Sequence, residues 1–594
     1  MSKVLKGAGV LALCAIVAKL IGAVYRIPLT NLVGAEGIGL YQMVFPLYTV
    51  LLTVSSGGLP VAISRVVSDR IAKGDEKGAR KVLFVALVSL SIAGALLAVL
   101  LVLLRYQIAG LQGNRAAALP YLGIAPSLFF VAIIAAFRGY YQGKQNMLPS
   151  ALSQLTEQIF KLGVGLALAT ILLPRGLEVA VFGAMVGVSI SELITAGYLA
   201  IQFAFTNRNY KKRTLVALNG EGNTNDFFKP DSSALAKKSP QNALTEAAAD
   251  VAVCSCGEEG VSAIPLPNSQ TDTTVPMDKK ETRRSILREI YKIAIPVTLG
   301  SLVIPLTQVV DSILVINLLV ARGAAQDMAT RSYGLLTGPV NTMINMPVVI
   351  SLSFAVALLP KIAECFAKKE CIDSHISQSL KYNLMIGLFS AVSLAIFARP
   401  IMNILYAGGL TPQEQQTGAV LLMLGTISIV YISILQVATS VLQGAGLAHK
   451  PAVNLLFGAL FKIVLTLALL PFFGIIGAIV ASVACYGVTA VLDIRSMLKV
   501  AKPNLNIKEI LLIPIAATAA FGGVAVGALF GFRRIIPSLW ASVAAVAIGS
   551  IIFFGILIGL KSIKKEELKS FPGIGKFIGY IEKKRKEKRQ TKKM

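Results

Sequence analysis

Long apolar runs separated by short polar connections dominate the chain. Runs long enough to cross a membrane fall at residues 8–33, 38–63, 81–104, 117–140, 147–173 and 179–205, and again at 290–319, 333–360, 381–405, 417–442, 451–472, 474–498, 509–531 and 537–560. A helix needs about 20 apolar residues to cross a hydrocarbon core about 30 Å thick. The pattern therefore predicts an all-α polytopic membrane protein with fourteen transmembrane helices. Between the sixth and seventh runs, residues 206–287 are rich in Asn, Ser, Thr, Lys and Asp, with few aromatics and no sustained periodicity. That composition predicts a largely disordered linker.

The runs also repeat. Ile27, Pro28, Leu29 and Thr30 in the first run return as Ile304, Pro305, Leu306 and Thr307 in the seventh. Val61, Ala62, Asp69, Ala72 and Lys73 return 295 residues later as Val356, Ala357, Glu364, Ala367 and Lys368. Gln142, Gly143, Phe160 and Lys161 return 301 residues later as Gln443, Gly444, Phe461 and Lys462. Three sets in the same order predict two six-helix lobes, residues 1–205 and 288–500, with two further helices at 501–560 outside the repeat. Because six is even, the lobes enter the membrane from the same side and are related by a parallel pseudo-two-fold axis. Such an arrangement puts a substrate site between the lobes and implies alternating access.

Composition agrees with a membrane protein. Of 594 residues 55% are hydrophobic and 15% charged, and the mean hydropathy is +0.71, values outside the range of soluble domains. The net charge of +27 does not call for nucleic acid, because it is unevenly distributed among the loops. One set of connections holds Lys3, Lys6, Lys73, Lys77, Lys81, Lys144, Lys368, Lys369, Lys450, Lys499, Lys502 and Lys508. The other set holds no lysine, only arginines such as Arg105, Arg115, Arg175, Arg322, Arg533 and Arg534. Lysine and arginine collect on the cytoplasmic side, so both termini are expected in the cytoplasm. The first run is too long for a signal-peptide core and contains cations, and is read as a retained helix. The tail from Lys561 carries thirteen Lys or Arg against four Glu, and is expected against anionic lipid. Six cysteines, at 14, 254, 256, 365, 371 and 485, imply no disulfide framework, and the lone Cys254 and Cys256 pair lacks the partners of a zinc site.

Charged residues inside the runs carry the candidate chemistry. Lys19 and Arg26 lie seven apart in the first run, on one helix face and about 10 Å apart along the axis. A buried cation in a span costs several kcal/mol and by default lines a polar cavity; snorkelling to the headgroups is the alternative. Pro28 follows, and is expected to bend the helix there. The second run closes with Arg65 and Asp69. The fifth holds Glu157 and Lys161, four apart in the order that predicts a local ion pair. Glu192, Asp311 and Lys462 fall in the sixth, seventh and eleventh runs, and Arg331 at the mouth of the eighth. Asp311, Glu192 and Glu157 are candidates to hold a coupling ion or to balance a cavity cation. Lys19 and Arg26 belong to one lobe and Arg331 to the other, so a shared cavity would suit an anion of delocalised charge such as a pyrophosphate. A site for cationic drugs would need carboxylates there instead. His375 and His449 are the only histidines, and no phosphate loop or metal-spaced cluster occurs. No enzyme activity, metal or cofactor is expected, beyond coupling to an ion gradient or the membrane potential.

Several motifs resemble a known family. They are Lys19-Leu20-Ile21-Gly22 with Arg26; Gly58-Leu59-Pro60-Val61-Ala62-Ile63-Ser64-Arg65; Phe137-Arg138-Gly139-Tyr140-Tyr141-Gln142-Gly143; and Ala329-Thr330-Arg331-Ser332-Tyr333. Together with the span pattern they resemble the multidrug, oligosaccharidyl-lipid and polysaccharide exporter superfamily, in its branch of lipid II flippases and stage V sporulation protein B-like proteins. The resemblance implies a flippase of the bacterial cytoplasmic membrane that moves an undecaprenyl-pyrophosphate-linked sugar, with cell-wall synthesis proteins as partners. It maps the headgroup cations onto Lys19, Arg26 and Arg331, with Arg65 a further candidate. Lys19 stands where the family carries arginine, and a second-span arginine of many lipid II flippases falls near Thr53. The peptidoglycan precursor lipid II is the expected cargo. Another undecaprenyl-linked glycan, of capsule, exopolysaccharide or spore, is the alternative, and a multidrug cation antiporter is a rival from another class.

Overall fold

The computed structural model describes residues 3–218, 283–368, 372–503, 505–532 and 538–559. Cys254, Cys256, most of the expected linker and the tail from 561 lie outside the described residues. Every regular element among the described residues is helical, and twelve helical segments are long and apolar enough to cross a membrane. The first such segment, Leu13–Ala72, has 60 residues. Unbroken it would extend about 90 Å, three times the hydrocarbon thickness. It covers the first two expected runs from Leu13 onward, while the expected 537–560 run falls on a shorter apolar helix, Ala544–Leu557.

The long segment is interrupted where the backbone requires it. Helix α1 (Lys3–Ser56) has non-helical dihedrals at Gly34, φ 68° and ψ −174°. A residue with Cβ resists that φ, and the added atom would also stand 3.2 Å from the Gly409 carbonyl oxygen. The break therefore falls at Gly34, in the gap between the first two expected runs, while the helix continues through Pro28, whose φ is already suited to it. A turn at Gly57 and Gly58 then separates α1 from α2 (Leu59–Ala72), where Pro60 sits in the first turn and its missing N–H forfeits no intrahelical bond.

The next helices are α3 (Glu76–Leu111), α4 (Ala118–Gly143), α5 (Met147–Leu172) and α6 (Leu177–Leu218). Helix α6 runs past the expected boundary at 205. Along α3, Phe84, Val88, Ile92, Leu96, Leu100 and Leu103 are exposed at three- and four-residue spacing, an apolar stripe suited to lipid rather than water.

The second half of the chain is more interrupted than expected. The seventh run divides at Leu302 into α7 (Arg283–Ser301) and α8 (Val303–Ala321). The eighth comprises α9 (Gln326–Leu335), a π-turn at Leu336–Val340 and α10 (Asn341–Lys368). Pro339 lies in that turn, where its missing N–H favours a widened helix. Then follow α11 (Asp373–Ile396), α12 (Ala398–Leu405), α13 (Pro412–Gly425), α14 (Ile427–Gly444), α15 (His449–Phe473), α16 (Ile475–Ala501), α17 (Ile513–Phe532) and α18 (Ser538–Gly559).

Two apolar cores join the halves of the chain, one at each end of the molecule. At the Gly34 end, Tyr25, Ile38, Tyr41 and Met43 of α1 pack with Tyr121, Ile316, Tyr333 and Tyr406. At the opposite end, Leu59, Ile63 and Val66 of α2 pack with Phe137, Leu199 and, from α7, Ile286, Ile290 and Ala294. There the Gly58 N–H donates to Thr298 Oγ1 at 3.0 Å. At the Gly34 end Gly39 lies so close to α9 that a Cβ would stand 2.3 Å from the Thr330 carbonyl oxygen, which only glycine permits.

Candidate functional site

The hairpin at Gly34 folds Arg26 on the first limb of α1 back against Phe45 on the second. The guanidinium carbon lies 5.9 Å from the Phe45 ring centroid. Lys161 of α5 approaches the same ring, its Nζ 4.9 Å from the Phe45 centroid and 5.9 Å from that of Tyr25. Two half-buried cations from different helices thus converge on one aromatic face, whose quadrupole attracts them. The ring belongs to a ladder: Tyr25 and Tyr41 are 6.5 Å apart, Tyr41 and Phe45 stack at 5.7 Å, and Phe45 and Tyr48 are 5.9 Å apart. Lys19 is half-buried on the limb that carries Arg26. Gly22, between them on that face, abuts Gln158 of α5, so the face turns toward protein and not toward lipid.

Lys161 was not among the residues singled out as a headgroup contact, and the structure corrects the pairing expected for it. Glu157 bonds Arg138 of α4 at 2.9 Å instead, while Arg138 Nε donates to Ser153 Oγ at 2.9 Å. The planar guanidinium makes both bonds at once, which an ammonium four residues along the same helix does not. Lys161 forms no ion pair among the described residues.

Arg331 occupies a second locus. Its Nη2 lies 3.0 Å from Glu36 Oε2 and its Nη1 3.9 Å from Glu414 Oε1. Glu36 stands two residues beyond the Gly34 break. Glu414 is held by a capping box: its carboxylate accepts the Thr411 N–H at 2.8 Å, and its own N–H donates to Thr411 Oγ1 at 3.3 Å. Further bonds tie the halves together nearby. Asn114 Nδ2 donates to Thr330 Oγ1 at 2.9 Å, Asn31 Nδ2 to the Leu405 carbonyl at 2.7 Å, Tyr333 Oη to the Gln42 carbonyl at 3.3 Å, and Gln42 Nε2 to the Thr337 carbonyl. Arg331 is therefore part of a latch at the Gly34 end, with carboxylate partners that the sequence pattern did not indicate. Arg26 lies eight residues before Gly34, about 12 Å along the helix, and acts electrostatically on Tyr406 of the other half. Arg65, on α2, is half-buried toward the opposite end and makes no ion pair among the described residues. A cavity of about 830 Å³ is lined by Tyr106, Asn114, Arg115, Glu178 and Gln326, and by none of Lys19, Arg26, Arg65 or Arg331.

The expected carboxylates separate as well. Glu192 of α6 is buried with Oε2 lacking a hydrogen-bond partner among the described residues, within electrostatic reach of Glu157, Arg138 and Lys161. Asp311 of α8 pairs with Lys462 of α15, their side chains 17% and 14% exposed. The cation that Asp311 balances is thus a lysine of its own half and not a cavity arginine. No group of three or more His, Cys, Asp or Glu suited to a metal ion occurs among the described residues.

Residues 4–222 match the family model described as Polysaccharide biosynthesis protein, and residues 263–550 match that described as Lipid II flippase MurJ. The chain is 28% identical over 585 residues to stage V sporulation protein B of Bacillus subtilis (strain 168), covering 97% of this chain and 98% of that one. It is 25% identical over 504 residues to lipid II flippase MurJ of the same organism, covering 82% and 80%. Among solved structures it is similar to lipid II flippase MurJ in an inward closed conformation, with TM-score 0.64 at 12% identity over 93% of this chain and 98% of that one. It is also similar to an inward-facing multidrug resistance MATE family transporter of the MOP superfamily, with TM-score 0.57 at 14% identity over 82% and 96%. Fold and matches together define a multi-pass bacterial inner-membrane protein. Within that class, the chain is similar to lipid II flippase MurJ and to stage V sporulation protein B.

Proposed function

We propose that this protein flips an undecaprenyl-pyrophosphate-linked glycan, most favourably lipid II, across the cytoplasmic membrane by alternating access. The observation that carries the reading is the convergence of Arg26 and Lys161 on Phe45 inside the α1 hairpin. Moving a sugar diphosphate through hydrocarbon strips its hydration, a cost of several kcal/mol for each unpaired polar group. An arginine fork and a lysine ammonium replace those water contacts with charge-assisted bonds. In the arrangement described, Glu36 and Glu414 neutralise Arg331; parting of the halves at the Gly34 end releases that guanidinium to the diphosphate. Lys19 and Arg65 extend the cationic path toward the other end.

The topology belongs to the same proposal. The two limbs of α1 count as separate crossings and Ala544–Leu557 as another, which gives the fourteen spans of two six-helix lobes plus two. The lysine asymmetry supports cytoplasmic termini and an outward Gly34 end. A second reading, a sibling carrying a different lipid-linked glycan, is favoured by the higher identity and fuller coverage of the match to stage V sporulation protein B. Export of cationic drugs fits less well, because Asp311 is committed to Lys462.

The test uses vesicles holding this protein alone and fluorescently labelled lipid II, read by headgroup accessibility to a membrane-impermeant quencher. Wild type is expected to expose inner-leaflet headgroups, and Arg26→Ala with Lys161→Ala to slow exposure at least about tenfold, the loss of one charge-assisted bond or more. Unchanged flipping in the double variant would refute the site. Failure to move lipid II, with transport of a different undecaprenyl-linked glycan in the same vesicles, would establish the sibling reading.

A further inference from the structure

The 301-residue repeat that aligns Gln142 with Gln443 and Lys161 with Lys462 also aligns Glu192 of α6 with Asp493 of α16. At the same offset Arg138 becomes Thr439 and Ser153 becomes Asn454. The structure assembles both corners. Arg138 bonds Ser153 and Glu157 close to Glu192. In the second half Thr439 Oγ1 lies 3.0 Å from Asp493 Oδ2, and Asn454 Nδ2 donates to Asp493 Oδ1 at 2.6 Å and to Ser496 Oγ at 3.4 Å. The corner is kept while its cation is replaced by a hydroxyl.

Asp493 is 1% exposed, on a stretch of α16 where Ala490 and Met497, three residues before it and four after, are buried too. No lysine, arginine or histidine pairs with it among the described residues. Its neighbours carry Tyr431 on α14, His449, Lys450 and Lys462 on α15, and Tyr486, Arg495 and Lys499 on α16 itself; none bonds the carboxylate, and Lys462 is held by Asp311. Glu414 of α13 and Asp311 of α8, the charged groups of the other helices touching α16, are held by Arg331 and Lys462. A buried carboxylate without a cation is costly while ionised and inexpensive once it takes up a proton.

We propose that Asp493 is a proton-binding site of the second half of the chain, loaded in the packed arrangement and emptied when the ends of α14, α15 and α16 separate. Its partners suit both states. The Thr439 hydroxyl donates to the carboxylate or accepts from the acid, and Asn454 donates to the other oxygen throughout. A proton delivered by water joins one Oδ, and no other bond is made or broken. An alkali ion fits less well, because Asn454 turns its nitrogen, not its oxygen, toward the carboxylate. Thr439 lies five residues from the end of α14, Asn454 five from the start of α15 and Asp493 eight from the end of α16. All three therefore sit about 8–12 Å from one end of the bundle. Loss of the proton leaves a charge that requires water, which favours the arrangement in which those helix ends part.

The full-length chain, reconstituted in phosphatidylethanolamine and phosphatidylglycerol vesicles, would be examined by infrared difference spectroscopy between acid and alkaline buffer. A carboxylic acid carbonyl band that disappears on alkalinisation is expected, lost in Asp493→Asn and displaced but present in Asp493→Glu. The conservative Glu variant keeps the test informative if the Asn variant fails to fold. An unchanged band in Asp493→Asn, or no titrating band in wild type, would overturn the proposal. Suppression of the band by sodium at fixed pH would overturn it in favour of a metal-ion site.

Discussion

Replacing Arg331 by alanine tests the latch at the Gly34 end. The Arg331–Glu36 bond is 3.0 Å long, with side chains 39% and 29% exposed, and the Glu414 contact at 3.9 Å is weaker. Exposed ion pairs contribute about 0.2–1 kcal/mol and charge-assisted hydrogen bonds about 1.5–3 kcal/mol. Partial exposure puts this bond between the two, near 1 kcal/mol, or about fivefold in the equilibrium that opens this end. Amide hydrogen exchange of the full-length protein in lipid nanodiscs reads that equilibrium directly, because backbone groups near Gly39 and Thr330 exchange only when the helices part. Residues 36–42 and 328–337 are expected to exchange about fivefold faster in Arg331→Ala, with α3 and α18 unchanged. Glu36→Gln should reproduce the effect, and the double variant should add little to either single one. Equal exchange rates in wild type and Arg331→Ala, or fully additive single variants, would show that the ion pair does not hold the halves together.

Gly34→Ala is expected to destabilise the protein by about 1–2 kcal/mol, from the strain of a left-handed residue with Cβ, and to lower the midpoint of thermal unfolding in detergent. Lys462→Met leaves Asp311 without its cation and should cost up to about 3 kcal/mol, whereas Asp311→Asn together with Lys462→Met should recover most of that loss; thermal unfolding of the three variants decides it.

Much of the helical architecture was legible because apolar runs about twenty residues long have few other structures available in a membrane. What escaped were interruptions inside those runs. Leu302 is as apolar as its neighbours, so no hydropathy signal marks the division between α7 and α8. Helix α6 continues past 205 because backbone hydrogen bonding does not stop where polarity begins. The break at Gly34 falls in the gap already expected between the runs ending at 33 and beginning at 38, while the bend expected at Pro28 leaves the helix continuous because proline's fixed φ is itself helical.

The site was less legible, for a related reason. Periodicity relates residues on one helix, and so it paired Glu157 with Lys161. Arg138, the actual partner, comes from another helix 19 residues earlier. Arg331 and Glu36 are 295 positions apart and meet only once the two halves have folded together. Glu414 did leave a trace, since Thr411 and Glu414 have capping-box spacing, but nothing in that spacing pointed to Arg331.

The single-residue turn at Gly34 leaves no slack between the first two limbs of the chain. Glu36 and Phe45 ride on one rigid arm and Arg26 on the other, so a swing that carries Glu36 off its arginine also shifts the ring on which two positive charges rest. The hairpin thereby acts as a lever that joins the seal at the rim to the grip within, and a few flexible residues spliced in at Gly34 should uncouple one from the other.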